Sequence, residues 1–251
     1  MAGHSKWKNI RLHKGKADVE RAKIFGKLSR EITIAARMGG GSPDSNARLR
    51  LAIERARENS MPADNIKRAT QKGTGELAGE AFDEVTYEGY GPGGAAVLIE
   101  AATDNRNRTV ADIRHVFSRN GGSLGESGSV AWQFARKGSI SIDAALSPDE
   151  DAVMEAALEA GAEDFARDGD IYEITTAADA VLNVAANLEK AGFKTSDVEV
   201  AMVPQNTVSL DGEAARRMLK LMDALEDHDD VQRVAANFDI EEKLLQEGAD
   251  G

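Results

Sequence analysis

The sequence predicts an α+β protein: an N-terminal helical bundle followed by two α/β domains, one of them a ferredoxin-like βαββαβ insertion within a discontinuous domain. Three observations predict it. Apolar residues recur at helical spacing up to about residue 73, the period then falls toward two, and the charge changes sign near the same place. Residues 1–75 carry 17 Lys and Arg against 7 Asp and Glu, a formal +10, whereas residues 76–251 carry 14 against 36, a formal −22. The net −12 of the whole chain hides this basic head.

The first helix is expected over residues 17–38, where a step of about 100° per residue gathers Ile24, Phe25, Leu28, Ile32, Ala35 and Ala36 on one face. The opposite face carries Lys23, Lys27, Arg30 and Arg37, a basic stripe expected to point to solvent. Three glycines at 39–41 stop the helix. After the turn at 42–45 a second helix starts near Asn46, with Leu49, Ala52, Ile53 and Ala56 inward. Arg48 and Arg55 edge that arc on one flank, Arg50 and Arg57 on the other. A third helix follows Pro62 and ends by Gly73, and Gly75 and Gly79 mark a linker.

Beyond the linker, strands are expected at 82–87 and 95–101, joined by the turn 88–94, then a helix at 109–118 ended by Gly121 and Gly122. A strand at 130–134 follows. From Ser139 the order strand, helix (148–160), strand (164–166), strand (171–175), helix (178–191), strand (198–203) is the split βαββαβ pattern. A strand at 207–210, a helix at 213–225 and a strand at 231–238 have no partners in that unit, so they are expected to close the sheet begun at Phe82. The domains are therefore set at 1–78, at 79–136 plus 205–240, and at 137–204.

Composition narrows the function. A chain of 251 residues with 41% hydrophobic content can bury a core. No apolar run approaches the ~20 residues of a membrane span, and the basic N-terminus also holds Asp18 and Glu20, unlike an acid-poor transit peptide. With no cysteine, disulfides and thiolate chemistry are excluded. A cytoplasmic protein with no membrane partner is expected. The basic head calls for a polyanion, because clustered cations release counterions from phosphates.

The first residues carry the sharpest local chemistry: His4, Lys6, Trp7, Lys8, Arg11, Lys14 and Lys16, an extended basic arm with one indole between two lysines. Such an arm suits single-stranded or irregular nucleic acid, where bases stack on the ring and cations hold phosphates. Trp7 is read equally well as a plug that anchors the arm on the bundle. Asn105, Arg106 and Arg108 stand where a strand gives way to a helix. They either hold a phosphate at the helix N-terminus or cap the helix and pair with acids. The glycine-rich turn at 91–94 lacks the Lys-Ser/Thr of a phosphate-binding loop and reads as a tight connection.

No convergent catalytic set is present, and the run Asp227, His228, Asp229, Asp230 reads as a solvated helix end rather than a metal site. A non-enzyme without cofactor or metal is expected.

Long motifs carry a family resemblance. The opening at 1–7, Tyr87-Glu88-Gly89-Tyr90-Gly91-Pro92-Gly93-Gly94, Asp104-Asn105-Arg106-Asn107-Arg108-Thr109, and the run from Gly121 through Leu124 and Gly128 to Val130 resemble the YebC family. That family includes bacterial DNA-binding transcriptional regulators and the mitochondrial translational activator of cytochrome oxidase. The chain departs from it at Ala235, where similar proteins often carry an aromatic. The resemblance implies a three-domain α/β protein acting on gene expression. The partner is then rRNA or tRNA, with the ribosome as the favoured setting, or alternatively duplex DNA read by a transcriptional regulator. The absence of a helix-turn-helix suited to reading base edges favours RNA.

Overall fold

The computed structural model describes residues 19–240, with side chains from residue 21 onward. The arm residues His4, Lys6, Trp7, Lys8, Arg11, Lys14 and Lys16 lie outside the described residues. Residues 134–203 form one compact unit, and the other described residues form another.

In the larger unit, α1 (Val19–Gly39), α2 (Ala47–Glu58) and α3 (Ala63–Thr74) make the bundle. Leu28, Ile32, Ala35, Leu49, Ala52, Ile53, Ala56, Met61, Ile66 and Ala69 form its core. Ile24, expected inward, is 39% exposed, so the apolar face of α1 starts in earnest only at Leu28. Asn46 caps α2 by accepting the Leu49 N–H at 3.1 Å and donates to the Ala35 and Gly40 carbonyls, which ties the two helices together. Gly73 lets α3 cross α1 closely: a Cβ there would lie 2.3 Å from the Thr33 carbonyl oxygen.

Next come β1 (Asp83–Tyr90), β2 (Ala96–Thr103), α4 (Arg106–Arg119) and the two-residue β3 (Ser123–Leu124). After the smaller unit the chain adds β8 (Val208–Leu210), α7 (Gly212–Glu226), β9 (Val231–Ala236) and β10 (Phe238–Ile240). The sheet order is β3-β1-β2-β9, and its pairings are antiparallel. Helices α4 and α7 build the core against it through Val97, Ile99, Ile113, Phe117, Met218, Met222 and Leu225. Gly89 admits Phe117, because a Cβ there would meet the ring at 2.7 Å.

Three expectations change. The expected strand at 207–210 does not join this sheet; β8 pairs in parallel with β10 as a separate ribbon. The expected strand at 231–238 is cut at Asn237, whose side chain accepts the Ala96 N–H at 2.7 Å and donates to Gln133 and Asn206. A side chain that replaces a ladder bond ends regular pairing. Residues 131–133 form a 3-10 turn rather than part of a strand.

The smaller unit contains β4 (Phe134–Asp143), α5 (Glu150–Ala160), β5 (Asp164–Asp168), β6 (Ile171–Ala177), α6 (Val181–Lys190) and β7 (Thr195–Pro204). Its order β5-β6-β4-β7 is that of a split βαββαβ sheet. Along β6 burial alternates, with Tyr172, Ile174 and Thr176 inward, as a half-covered strand requires. Asp149 caps α5 through the Ala152 N–H, and Gly161 ends it in the left-handed region.

Among the described residues no helix is long and apolar enough to cross a membrane, and no group of three His, Asp or Glu is placed to hold a metal ion.

Candidate nucleic-acid interface

The basic residues of the bundle fall on two faces. On α1, Lys27 donates to the Glu226 carbonyl and Arg30 to the Asp229 carbonyl. Arg30 also lies 3.7 Å from the Asp230 carboxylate, and its guanidinium sits 5.5 Å over the Phe82 ring. Arg37 donates to the Phe82 carbonyl. The stripe expected to point to solvent therefore faces the neighbouring α/β domain for much of its length. Only Arg37 among its four members is exposed, and Lys23, Lys27 and Arg30 are half-buried.

Helical spacing places the other basic face on α2 and α3. With Leu49, Ala52, Ile53 and Ala56 inward, Arg50 and Arg57 stand seven residues apart on one flank of α2, and both are exposed. On α3, Ile66 and Ala69 are buried, leaving Lys67, Arg68 and Lys72 exposed. These five were not singled out as binding residues from the sequence. The signal was there in Arg50 and Arg57 on the flank of the apolar arc, opposite Arg48 and Arg55.

Arg48 and Arg55 are engaged within the unit. Arg48 forms a forked pair with Glu84, and Arg55 lies 3.6 Å from Glu31, which also receives Arg233. Burial pushes the Glu31 carboxyl up, but the charges of Arg233 and Arg55 outweigh that and hold it below its ordinary value.

At the start of α4, Asn105 accepts the Arg108 N–H at 3.1 Å, and its own N–H donates to Thr103 Oγ1. Arg106 pairs with Asp83 at 3.0 Å. Arg108 reaches Asp104 and Asp230, each at 2.8 Å. Of the two readings open for this segment, the described contacts are those of capping and ion pairing. Any phosphate here has to compete with three carboxylates.

Asp230 is the hub of this region. Its side chain is 5% exposed and accepts from Arg108, from Thr109 at 2.7 Å and from Thr103 at 3.3 Å. Burial raises its pKa, yet the hydrogen bonds from Arg108 and Thr109 and the charges of Arg108 and Arg30 leave it lowered. The expectation of a solvated helix end is thus corrected at Asp230. The chain turns inward after α7 because the His228 ring accepts the Asp230 N–H at 3.1 Å and the Asp230 carbonyl accepts the Ala102 N–H.

A cleft of about 550 Å³ opens beside this hub. Lys23, Arg30 and Arg108 line it together with Glu80, Asp104, Asp112, Asp227, Asp229 and Asp230. Acids outnumber cations two to one, so a polyanion is better served by the exposed cations of α2 and α3 than by this cleft.

The glycine-rich motifs meet around Glu88. Its carboxylate accepts the N–H groups of Gly128, Val130 and Ala131 at 2.6 to 2.8 Å. Burial raises the Glu88 pKa, and these three donors reverse the effect. At the turn from β1 to β2, Gly93 and Gly94 have positive φ, and the Gly91 N–H donates to the Ala95 carbonyl. That turn is a tight connection, as its composition predicts.

The comparisons with known proteins cover nearly all of the chain. Residues 5–76 match the family described as "TACO1/YebC protein N-terminal domain", and residues 82–238 match "TACO1/YebC second and third domain". A protein of Pelotomaculum thermopropionicum named "Probable transcriptional regulatory protein" is 59% identical over 243 residues, 96% of this chain and 100% of its own length. One of the same name from Chloroherpeton thalassium is 57% identical over 247 residues, 98% of each chain. Among solved structures, a conserved hypothetical protein from Aquifex aeolicus matches with a TM-score of 0.85 and 48% identity, covering 91% of this chain and 94% of that one.

Proposed function

Because the chain belongs to the TACO1/YebC family, we propose that it is a non-enzymatic, nucleic-acid-binding regulator of gene expression. One observation carries this reading. Arg50, Arg57, Lys67, Arg68 and Lys72 are exposed on two helices of a bundle whose other cations are largely engaged by the acidic domain beside it. Cations left at the surface of two adjacent helices are placed to displace counterions from phosphates.

The favoured setting is RNA on the ribosome, with the arm at Lys6, Trp7 and Lys8 entering irregular RNA and the bundle lying on its backbone. A second reading, a DNA-bound transcriptional regulator, is favoured by the names of the relatives. In either setting Arg106 and Arg108 act chiefly to hold the α/β domain together.

Crosslinking in cells with sequencing of both RNA and DNA pools separates the two. The favoured reading expects rRNA or tRNA to dominate and ribosome cosedimentation to fall when residues 2–11 are removed. Discrete promoter sites with unchanged ribosome association would replace it with the transcriptional reading.

A further inference from the structure

We propose that Tyr90 and Trp132 form a stacking platform for an unpaired nucleobase, a second contact that rests on the nucleic-acid reading above. Trp132 is 69% exposed and Tyr90 is 38% exposed, both large rings in a well-packed unit. Their polar tips converge on one atom. The Tyr90 hydroxyl donates to the Ser129 carbonyl at 3.0 Å, and the Trp132 indole N–H donates to the same oxygen at 3.1 Å.

That carbonyl belongs to a loop whose shape is held from below. Glu88 is only 6% exposed, and a carboxylate so placed needs its lone pairs filled. The amides of Gly128, Val130 and Ala131 fill them. The Glu88 carbonyl also accepts the Gly125 N–H. The loop is thus tied to β1 at both ends, and the positions of the two rings follow from it.

With both donors engaged internally, what the rings offer a partner is their π faces. Base stacking needs only a face and tolerates any base. Recognition of a peptide backbone would instead need a free donor for its carbonyls. Guanidinium charge lies close by. Ser123 pairs with Tyr90 in the sheet, α4 ends on the exposed Arg119 four residues earlier, and Arg217 approaches Gly121, where a Cβ would be 3.5 Å from its guanidinium. Arg217 also pairs with Glu213. A base on the platform therefore has cations within reach of its phosphates.

The test uses the full chain with Trp7→Phe, which leaves Trp132 as the only indole. End-labelled oligouridylate and a duplex of the same length are titrated by anisotropy, and Trp132 fluorescence is followed in parallel. Oligouridylate is expected to quench Trp132 more strongly than the duplex. Trp132→Leu should weaken its binding about 10-fold, and Trp132→Phe, which keeps the face and loses the N–H, should restore most of the affinity. Circular dichroism checks that each variant folds. Tight anisotropy binding with unchanged Trp132 emission and no loss in Trp132→Leu would overturn the platform while sparing the nucleic-acid reading. An absence of binding to either oligonucleotide by the unsubstituted chain would overturn both. Quenching by oligoproline but not by oligouridylate would reassign the platform to a peptide.

Discussion

The two basic faces of the bundle are built from the same residue types and have opposite fates. On α1, Lys27 and Arg30 end on carbonyls and a carboxylate of the segment 226–230. On α2 and α3, Arg50, Arg57, Lys67 and Arg68 remain exposed. The difference lies in what each face meets. In a chain with a +10 head and a −22 remainder, part of the head's charge is taken up by the chain itself. A count of cations therefore gives an upper limit on a polyanion site, and only packing tells which members are available.

The comparison is broken most severely by loosening the bundle itself. Gly73→Ala places a methyl group 2.3 Å from the Thr33 carbonyl, so a loss of about 3 kcal/mol is expected from overpacking. Denaturant unfolding measures it, and a change under 0.5 kcal/mol would mean that the close crossing of α1 and α3 is misplaced. The engaged face is broken next by Asp230→Asn, which removes the charge that Arg108 and Arg30 share. A fully buried pair loses about 3–5 kcal/mol when one partner is removed. Arg108 keeps nearly half its side chain in solvent, so about 2 kcal/mol is expected here.

Acid should act in the same direction. The carboxyls of Glu31, Glu84 and Asp230 lie below their ordinary values in the folded chain. Their contribution is complete above the unfolded values, near about 4, and is lost as pH falls through the lowered ones. Unfolding free energy should therefore be insensitive to these groups near neutrality and fall with pH below about 4. In Asp230→Asn that acid slope should be shallower, which a pH series of denaturant curves reads directly. The smallest effect belongs to the exposed fork: Arg48→Gln should cost about 0.5 kcal/mol, because Arg48 and Glu84 are 36% and 44% exposed.

Much of this was legible in the sequence, and the exceptions have physical causes. The helices of the bundle, the βαββαβ insertion and the return of the chain to the first sheet follow from periodicity and glycine punctuation, which are local properties. Trp132 was hidden because a strand at 130–134 would place it on the same side as Val130 and Phe134, which are both buried. The 3-10 turn rotates it outward instead. The break at Asn237 depends on Ala96, 141 residues away. Asp230 looked solvated among three other polar residues because its partners Arg108, Thr109 and Arg30 come from two other helices. Contacts of that range leave no period in the chain.

The central claim is that the exposed cations of α2 and α3, rather than the α1 stripe, meet the phosphates. Its most direct test is the salt dependence of RNA binding by the full chain and two variants. Changing Arg50, Arg57, Lys67 and Arg68 to Gln should reduce the slope of log K against log salt by about 3 on single-stranded RNA, with stability altered by less than about 0.5 kcal/mol. Changing Lys23, Lys27 and Arg30 to Gln should leave the slope within about one unit while lowering the midpoint of unfolding. A flattened slope in the α1 variant, with an unchanged slope in the α2 and α3 variant, would contradict the account.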